Sequence, residues 1–417
     1  MPSQPLSFAE PFHWTSKRVA ELEESQTLAM AARSRALTEQ GYEIINLSLG
    51  EPDFDTPAHI QEAACQAIHD NFSRYTPVAG YADLRKAVVH KMEQDLQWKV
   101  GPEQVLFSTG AKQSLINVLM AVLNPGDEVL LPAPYWVSYT GMIQMAEAKA
   151  VVLPSSAESG YKISPEALEA AITPRTRMLL YSSPCNPSGA VLQREELEAW
   201  AVVLRKHPGI LVVSDEIYEH IRFEGSHCSI VQCPGMADRT VVVNGMSKGF
   251  AMTGWRLGYA VAPLEVANAC VKLQGQFTSA TCSIAQRAAL AALQGPMDDT
   301  QRMCAAFRER RDLAIAETAN LPGWDCPVPE GAFYLFPNIS AWFGAIWQGK
   351  PLGNAERLTE FLLEEARVAT VSGDAFGSPE CIRLSIACSE AQIKEAMARI
   401  RLAFQQLLSQ NSLDQGS

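Results

Sequence analysis

The sequence lacks any stretch of about 18 consecutive apolar residues, the length that a membrane-spanning helix requires. Residues 1–10 also lack the basic segment followed by an apolar run that is typical of a secretory signal peptide. We therefore expect neither a membrane span nor export, and we predict a cytoplasmic location for the chain.

Recognisable metal-binding patterns are also absent, although the sequence has ten cysteines and seven histidines. No two cysteines form a CxxC pair, and no two histidines form an HExxH pair. Cys228 and Cys233, with His227 nearby, do not match the spacing of a zinc site. We expect no metal, and most of the cysteines have the apolar neighbours of reduced core residues.

Basic residues are fewer than acidic ones: the 417 residues include 34 lysines and arginines and 46 aspartates and glutamates, a net charge of −12. Such a chain repels the phosphate backbone of nucleic acids, so we expect no nucleic-acid partner. Its length favours two domains over a single small core.

Strand and helix patterns alternate up to about residue 300 and then change. The clearest predicted strands are Val105–Ser108, Glu128–Leu131, Ala150–Leu153, Arg177–Ser182, Ile210–Ser214 and Thr240–Asn244. Helical patterns between them predict an α/β domain with a largely parallel sheet over residues 54–300. We predict a smaller α+β domain over residues 301–417, with the N-terminal segment 1–53 packed against it.

The most informative segment is Asn244–Gly258, which continues from the last predicted strand. It places Lys248 just beyond a strand end, with Ser247 before it and Arg256 eight residues later. A sheltered lysine can lose its proton and attack a carbonyl carbon, while a serine and an arginine suit a phosphate group. The combination indicates a site for a phosphorylated aldehyde, pyridoxal 5′-phosphate (PLP).

Two other strand ends carry polar side chains, and in an open α/β sheet ligands bind beyond the carboxyl ends of the strands. Asp215 could hold a pyridine nitrogen protonated, and Tyr218 could reach a ring oxygen. Glu216 between them is interpreted as a solvent-facing or structural residue. Asn186 could hydrogen-bond a ring hydroxyl, although its segment by itself is more typical of an ordinary Asn-Pro turn.

A turn of small residues, Gly110 and Ala111, precedes Lys112 and a predicted helix. Backbone N–H groups at a helix start can hold a phosphate, so the turn is a candidate phosphate cradle. Because many strand-to-helix turns contain glycine, this pattern is weak when taken alone.

The segment from Asn244 to Gly258 closely resembles the lysine attachment signature of class I PLP-dependent aminotransferases. The matching positions are Gly245, Ser247, Lys248, Gly254, Arg256 and Gly258. The resemblance implies PLP-dependent transferase fold type I: a large domain with a mostly parallel seven-stranded sheet sandwiched by helices, plus a smaller α+β domain. It implies PLP as cofactor and ping-pong amino transfer in a homodimer with shared active sites, with Lys248, Asp215 and Tyr218 as catalytic residues.

Other segments resemble the same family. Gly50 lies in a match to the substrate-side loop, and Tyr75 matches the tyrosine that reaches the phosphate of the neighbouring subunit's cofactor. Trp136 matches the aromatic residue that stacks on PLP, although a core position is an alternative. Arg383 matches the arginine that binds the substrate α-carboxylate, with a salt bridge at a domain interface as the alternative.

The resemblance therefore yields two overlapping sets of residues. The predicted cofactor-binding residues are Gly110, Ala111, Lys112, Trp136, Asn186, Asp215, Tyr218, Ser247, Lys248, Arg256 and Tyr75. The predicted substrate-binding residues are Gly50, Lys112, Trp136, Asn186 and Arg383.

Lys112 points to an acidic amino donor, because it resembles a lysine that binds the distal carboxylate of aspartate in a branch of bacterial aspartate aminotransferases. Ser25 and Thr27 resemble hydroxyl positions of the same branch. We therefore expect aspartate or glutamate as donor and 2-oxoglutarate or oxaloacetate as acceptor.

Other functions stay open at this stage. Some members of the branch transaminate prephenate, and an aromatic segment with Trp342, Phe343 and Trp347 could flank a ring-bearing substrate, although a packed or exposed loop is the more cautious interpretation. A broad-specificity or aromatic aminotransferase and a PLP-dependent carbon–sulfur β-lyase would share the fold. A non-catalytic regulator is disfavoured, because the residues before Glu51 contain no basic recognition helix.

Overall fold

The computed structural model describes residues 14–22 and 26–414 of the chain. The α-helices of these residues are α1 Lys17–Ala20, α2 Gln26–Glu39, α3 Ala58–His69, α4 Ala82–Leu96, α5 Ala111–Val122, α6 Ser138–Met145, α7 Pro165–Ala170, α8 Arg194–Arg205, α9 Leu264–Phe277, α10 Ser283–Gln294, α11 Asp298–Thr318, α12 Ala355–Phe361 and α13 Glu390–Asp414. The strands are β1 Ile45–Asn46, β2 Val105–Ser108, β3 Glu128–Pro132, β4 Lys149–Leu153, β5 Thr176–Ser182, β6 Leu211–Asp215, β7 Thr240–Gly245, β8 Gly258–Val261, β9 Tyr334–Leu335, β10 Ile346–Trp347, β11 Lys350–Pro351, β12 Val368–Ala369, β13 Val371–Ser372 and β14 Ile382–Ser385.

Seven strands of the described residues form the central sheet, in the order β2-β8-β7-β6-β5-β3-β4. The five strands from β7 to β4 run parallel, whereas β8 is antiparallel to both of its neighbours. Successive residues of one strand enter different cores, since Val241 and Val243 pack on one face and Val242 on the other. Because both faces are covered by helices, the strands are continuously apolar. The fold prediction is confirmed.

Most predicted elements of the large domain agree with the structure to within about two residues, the usual uncertainty of element ends. The sequence Ser164-Pro165-Glu166 predicts a helix start, and Ser164 does cap α7: its hydroxyl accepts from the Ala167 N–H at 3.2 Å. Strand β8 was not predicted. It begins at Gly258, the last residue of the lysine segment, and it is only four residues long.

The second region is built on a small antiparallel sheet, β13-β14-β9, packed with α11, α12 and α13. The sequence predicts a short strand over residues 42–49, and this prediction is wrong in extent: only β1 forms, and it pairs in parallel with β12. The sequence also predicts one strand over residues 368–371, but the structure has two short strands there, β12 and β13, which belong to different sheets. The pairing of β1 with β12 attaches the N-terminal segment to this region. The boundaries at residues 53 and 300 remain predictions.

The aromatic segment after residue 340 packs into the core of this second region. Trp342 is 5% exposed, its indole N–H donates to the Pro322 carbonyl at 2.8 Å, and its ring lies 4.1 Å from that of Phe404. Trp347 is also buried. These side chains therefore stabilise the core, which agrees with the more cautious interpretation of the sequence.

Two findings concern the described residues as a whole. Within residues 14–22 and 26–414, no helix combines the length and apolar character needed to cross a membrane. The same part of the chain contains no group of three or more histidine, cysteine, aspartate or glutamate side chains arranged to hold a metal ion.

Candidate active site

A cavity of about 470 Å³ lies at the carboxyl edge of the central sheet. Its size is within the range of small-molecule sites. Its wall contains Ala31, Leu49, Gly50, Glu51, Ala111, Lys112, Leu115, Trp136, Val137, Ser138, Tyr139, Ser182, Asn186, Asp215, Ile217, Tyr218, Ser247, Lys248, Thr253, Arg256, Tyr334 and Arg383. The structure thus brings together eleven of the thirteen predicted site residues. Gly110 lies directly behind the wall, and Tyr75 lies elsewhere.

Lys248 follows β7 and extends into the cavity, where its Nζ donates to the Gly50 carbonyl at 2.5 Å. Burial lowers the pKa of its amine from 10.5 to about 8, although the charge of Glu51 acts in the opposite direction. A lysine with this pKa is partly neutral near pH 7 to 8, so it can act as a nucleophile and a base.

Asp215 ends β6 and is 4% exposed. The Tyr139 hydroxyl donates to its Oδ2 at 2.7 Å, and the Ile217 N–H donates to its Oδ1 at 3.2 Å. No lysine or arginine in the described part of the chain forms an ion pair with it. Burial raises the pKa of this carboxyl to about 6, and the two hydrogen bonds oppose that rise. Its environment suits a cationic partner, such as a protonated ring nitrogen.

Tyr139 was missed by the sequence analysis. It lies on α6 one turn after Trp136, and the two rings meet edge to face at 5.5 Å. Its hydroxyl reaches an aspartate 76 residues away. The spacing of an aromatic residue three positions after the predicted stacking residue is the only signal for it in the sequence, and that spacing is common in helices.

The start of α5 approaches Arg256 closely enough to form an anion-binding cradle. Gly110 has a φ of +84°, and a Cβ at this position would lie 2.6 Å from the Arg256 guanidinium. A Cβ on Gly258 would lie 2.2 Å from the Ala111 nitrogen, so glycine allows β8 to touch the first turn of the helix. Helix N–H groups, the guanidinium and the adjacent Ser247 hydroxyl together suit a phosphate.

Arg383 on β14 is 2% exposed and has no carboxylate partner among the described residues. Its Nη1 donates to Asn186 Oδ1 at 3.0 Å and its Nη2 to the Ser48 carbonyl at 2.7 Å, while its Nε has no partner. The guanidinium lies over the rings of Tyr334 and Phe376. The alternative of a salt bridge at a domain interface is therefore not observed. A buried cation without an anion is suited to a carboxylate ligand.

Lys112 provides a second cation at the wall of the cavity. Its Nζ lies 4.9 Å from the centre of the Trp136 ring, and its side chain is open to solvent. Partial burial, followed by the nearby charge of Arg256, lowers the pKa of Lys112 below its usual value. Trp136 is half-buried: it packs against the core that contains Tyr139 and also lines the cavity, so both interpretations of the sequence hold in part.

Comparison with known proteins decides the family. Residues 42–400 match the family model described as aminotransferase class I and II. The chain belongs to this family. It is 46% identical to the bifunctional aspartate aminotransferase and glutamate/aspartate-prephenate aminotransferase of Petunia hybrida, across 93% of this chain and 82% of that protein. It is 44% identical to an aspartate/prephenate aminotransferase of Cereibacter sphaeroides, across 93% of this chain and 97% of that protein.

Solved structures of aspartate aminotransferases have the same fold as this chain. An aspartate aminotransferase from Rhizobium meliloti superposes with a TM-score of 0.91 at 41% identity, covering 94% of this chain and 99% of that one. The aspartate aminotransferase from Thermus thermophilus with maleate gives a TM-score of 0.87 at 39% identity, covering 94% of this chain and 100% of that one. The chain is therefore a PLP-dependent aminotransferase of fold type I.

The residues of this aminotransferase fit PLP. The cradle of Gly110, Ala111 and Arg256 offers N–H groups and a cation where a Cβ would leave no room. Lys248 presents an amine with a lowered pKa, and Asp215 presents a buried carboxylate without a counter-ion. The chemistry of each group suits one functional part of the cofactor: the phosphate, the aldehyde and the ring nitrogen.

Tyr334 lies next to both Tyr218 and Gly50, and the sequence analysis did not identify it. The hydroxyls of Tyr218 and Tyr334 lie 2.7 Å apart, and a Cβ on Gly50 would lie 2.8 Å from the Tyr334 hydroxyl. Tyr334 therefore links the two predicted site residues to β9. Its position, 116 residues beyond Tyr218, gave no indication of this contact in the sequence.

Tyr75 is not brought to the cavity of its own chain: it is 97% exposed. The resemblance assigns it to the neighbouring subunit's cofactor, a role that requires such an exposed position. The prediction on Ser25, and on the side chain of Thr27, lies outside the described residues.

Proposed function

We propose that this aminotransferase transfers the amino group of aspartate or glutamate to 2-oxoglutarate or oxaloacetate by a ping-pong reaction. The observation that carries the proposal is the pair of cations in one cavity, Arg383 and Lys112, neither of which has a carboxylate partner among the described residues. A dicarboxylic amino acid supplies one carboxylate to each. The relatives named aspartate aminotransferase, and the one solved with the dicarboxylate maleate, support this choice.

Arg383 is the proposed partner of the α-carboxylate. Asn186 and the Ser48 carbonyl fix its guanidinium, so the fork is oriented before the substrate arrives and little side-chain entropy is lost on binding. Lys112 has a flexible, solvent-accessible side chain, which suits the distal carboxylate of donors that differ by one methylene group.

Lys248 is the proposed site of cofactor attachment and the group that moves the substrate's Cα proton. When bound, PLP supplies a conjugated ring that accepts the electron pair of the broken Cα–H bond. The Lys248 Nζ takes the proton from the substrate Cα and would deliver it to the aldehyde-derived carbon of the cofactor. Its pKa of about 8 permits both transfers near neutrality. Asp215 holds the ring nitrogen protonated, and Tyr139 keeps the Asp215 carboxylate in place.

The remaining parts of the proposal concern assembly and location. The exposed Tyr75 ring supports a homodimer in which each subunit contributes this residue to the other's site. All ten cysteines are free thiols, which supports a reducing, cytoplasmic location. We also propose that the large domain spans residues 54–300 and the small domain residues 301–417, with residues 1–53 packed against the latter.

The Lys112→Ala variant tests the substrate assignment. We expect KM for aspartate to rise roughly 10- to 100-fold, the range for losing a hydrogen bond between charged groups, and KM for alanine to change by less than about twofold. Lys149→Ala, which removes an exposed lysine outside the cavity, is the matched control. Equal changes for aspartate and alanine in Lys112→Ala would contradict the proposal.

Prephenate is a second candidate substrate, because several relatives carry it in their names. It also presents two carboxylates, so the same two cations would bind it. Steady-state kinetics with prephenate and glutamate would establish the activity, and we expect Lys112→Ala to raise KM for prephenate as it does for aspartate.

A further inference from the structure

A group of buried charges lies behind the sheet edge that carries the site. We call it the back cluster: Lys91, Glu216, Glu219, His220 and His227. None of the five lines the cavity. Glu216 directly follows Asp215, and since successive side chains of an extended segment point to opposite faces, the two carboxylates lie on opposite sides of the sheet. The reaction described above uses none of these residues.

Glu216 is the most buried member, at 1% exposure. The hydroxyls of Ser214 and Ser229 donate to its Oε1 at 2.8 and 2.6 Å, and His227 Nε2 lies 2.8 Å from its Oε2. Its backbone N–H donates to the Val243 carbonyl at 2.8 Å, which ties the end of β6 to β7. A surface carboxylate is solvated by water and needs no side-chain partner, whereas this buried carboxylate has three.

Glu219 extends the cluster toward the cofactor lysine. Its carboxylate lies 3.0 Å from Lys91 Nζ and 3.1 Å from His220 Nε2. The His220 ring contacts the Phe250 ring at 5.4 Å, and a Cβ on Gly249 would lie 2.6 Å from it. The back cluster therefore packs against both the strand end that holds Asp215 and the turn that follows Lys248.

Carboxylates outnumber permanent cations in and around the cluster, because Lys91 is shared between Glu219 and the half-exposed Asp95. Glu216 and Glu219 bring two carboxylates, and Lys91 brings one permanent cation. Burial by itself would lower the pKa of His227, but the charge of Glu216, its hydrogen bond and then Glu219 raise it above the usual value. His227 therefore holds its proton more strongly than a free imidazole, and that proton, when present, offsets the charge of Glu216.

We propose that Glu216 is a positioning residue for Asp215: through its pair with His227 it fixes the strand end and sets the negative potential that the Asp215 carboxylate experiences. The groups that face this pair are Ser214, Ser229, Tyr181, Tyr259, Asp215, Glu219, Lys91, His220 and Asp95. The inference rests on the proposed role of Asp215 at the ring nitrogen. It assigns to Glu216 an electrostatic effect in addition to its structural contacts.

Two variants distinguish this effect from a merely structural one, because they should shift the same titration in opposite directions. Glu216→Gln keeps the hydroxyl contacts and removes the negative charge, so Asp215 should lose its proton more readily. His227→Gln keeps a donor to Glu216 and removes the cation, so Asp215 should hold its proton more strongly. Glu219→Gln is the matched control, since it removes a buried carboxylate of the same cluster that does not adjoin Asp215.

The measurement is the ¹³C carboxyl titration of Asp215 in the full chain without cofactor, with Asp215→Asn identifying the resonance. The expected midpoint is about 6 in the wild type. We expect it to fall by about half a pH unit or more in Glu216→Gln and to rise by a similar amount in His227→Gln. Shifts in the same direction, no shift, or an equal shift in Glu219→Gln would overturn the proposal. If Glu216→Gln does not fold, the rise in His227→Gln alone decides.

Kinetics of the holoenzyme provide the second readout. We expect Glu216→Gln to lower kcat by roughly tenfold while KM for aspartate changes by less than about twofold. The substitution affects Asp215 and leaves Arg383 and Lys112, which bind the substrate, unchanged. A roughly tenfold rise in KM for aspartate with kcat unchanged would overturn the proposal. A wild type that turns over aspartate, combined with an inactive Asp215→Asn, would leave the proposed function intact even if Glu216 proved inert.

Discussion

Buried charged side chains lie on both sides of strand β6, but they are unpaired on one side and ion-paired on the other. On the cavity side, Asp215, Lys248 and Arg383 form no ion pairs among the described residues, and burial shifts the pKa of the first two toward neutrality, to about 6 and about 8. On the back side, Lys91 holds the pKa of Glu219 well below its usual range. Unpaired buried charges therefore mark where a ligand must supply the missing partners, while paired ones maintain the fold.

Lys248→Ala should reduce activity more than any other substitution considered, because it removes the central unpaired group of the cavity side. We expect the rate of amino transfer to fall by at least about 10³-fold, since both cofactor attachment and proton transfer are lost. Steady-state assays with aspartate measure the loss, and far-UV circular dichroism checks that the fold is retained. Lys149→Ala is the control, because it removes an exposed lysine that lies outside the cavity. Activity near that of the wild type would refute the role of Lys248.

Lys91→Met tests the back side by leaving Glu219 without its cation. We expect unfolding free energy at neutral pH to fall by about 3–5 kcal/mol, the usual cost of breaking a buried pair from one side. The depressed pKa of Glu219 stabilises the fold above about pH 4.5, so the loss should shrink as the pH falls below that value. Denaturant unfolding from pH 3 to 8 measures this. The double variant Lys91→Met/Glu219→Gln should recover part of the stability, and no recovery would contradict the pairing.

Asp215→Asn should increase the free energy of unfolding, whereas most substitutions of buried residues decrease it. The raised pKa of Asp215 means that the native apoprotein binds an extra proton between about pH 4 and 6, so wild-type stability falls as the pH rises through this window. The variant lacks this cost and should be more stable than wild-type apoprotein above pH 6, by at most about 3 kcal/mol for a shift of about two units. The difference should vanish below about pH 4. Lower stability of the variant at pH 8 would contradict the account.

The smallest expected effect belongs to Tyr139→Phe, which removes one hydrogen bond to Asp215. We expect the pKa of Asp215 to rise further, because that hydrogen bond lowers it. The rate should fall by roughly fivefold, corresponding to about 1 kcal/mol for one hydrogen bond. The pH dependence of kcat for wild type and variant measures this effect. A larger loss than that of Asp215→Asn would show that Tyr139 has a separate role.

The cavity side was accessible to sequence reasoning because its residues follow strand ends. Asp215 is the last residue of β6 and Lys248 lies three residues beyond the end of β7, and the carboxyl ends of parallel strands meet at one edge. The resemblance to a known family then added Arg383 and Trp136, whose own sequence context is ambiguous.

The missed features depend on contacts between distant parts of the chain. Tyr139 and Tyr334 are uncharged residues whose partners lie 76 and 116 residues away. Glu216 was expected to be a solvent-facing or structural residue. It is buried and has structural contacts, but only the fold shows that His227 and Ser229 surround it. A pattern of apolar spacing carries no information about such pairings.

The most direct test of the central claim is the absorbance spectrum of the purified holoenzyme before and after aspartate is added without any 2-oxo acid. We predict that the visible band of the lysine-bound cofactor disappears as a band of the aminated cofactor grows, and that 2-oxoglutarate restores the first band. A visible band that aspartate leaves unchanged would contradict the role of Arg383 and Lys112 as a dicarboxylate site. The absence of any band after addition of PLP would contradict the assignment of Lys248.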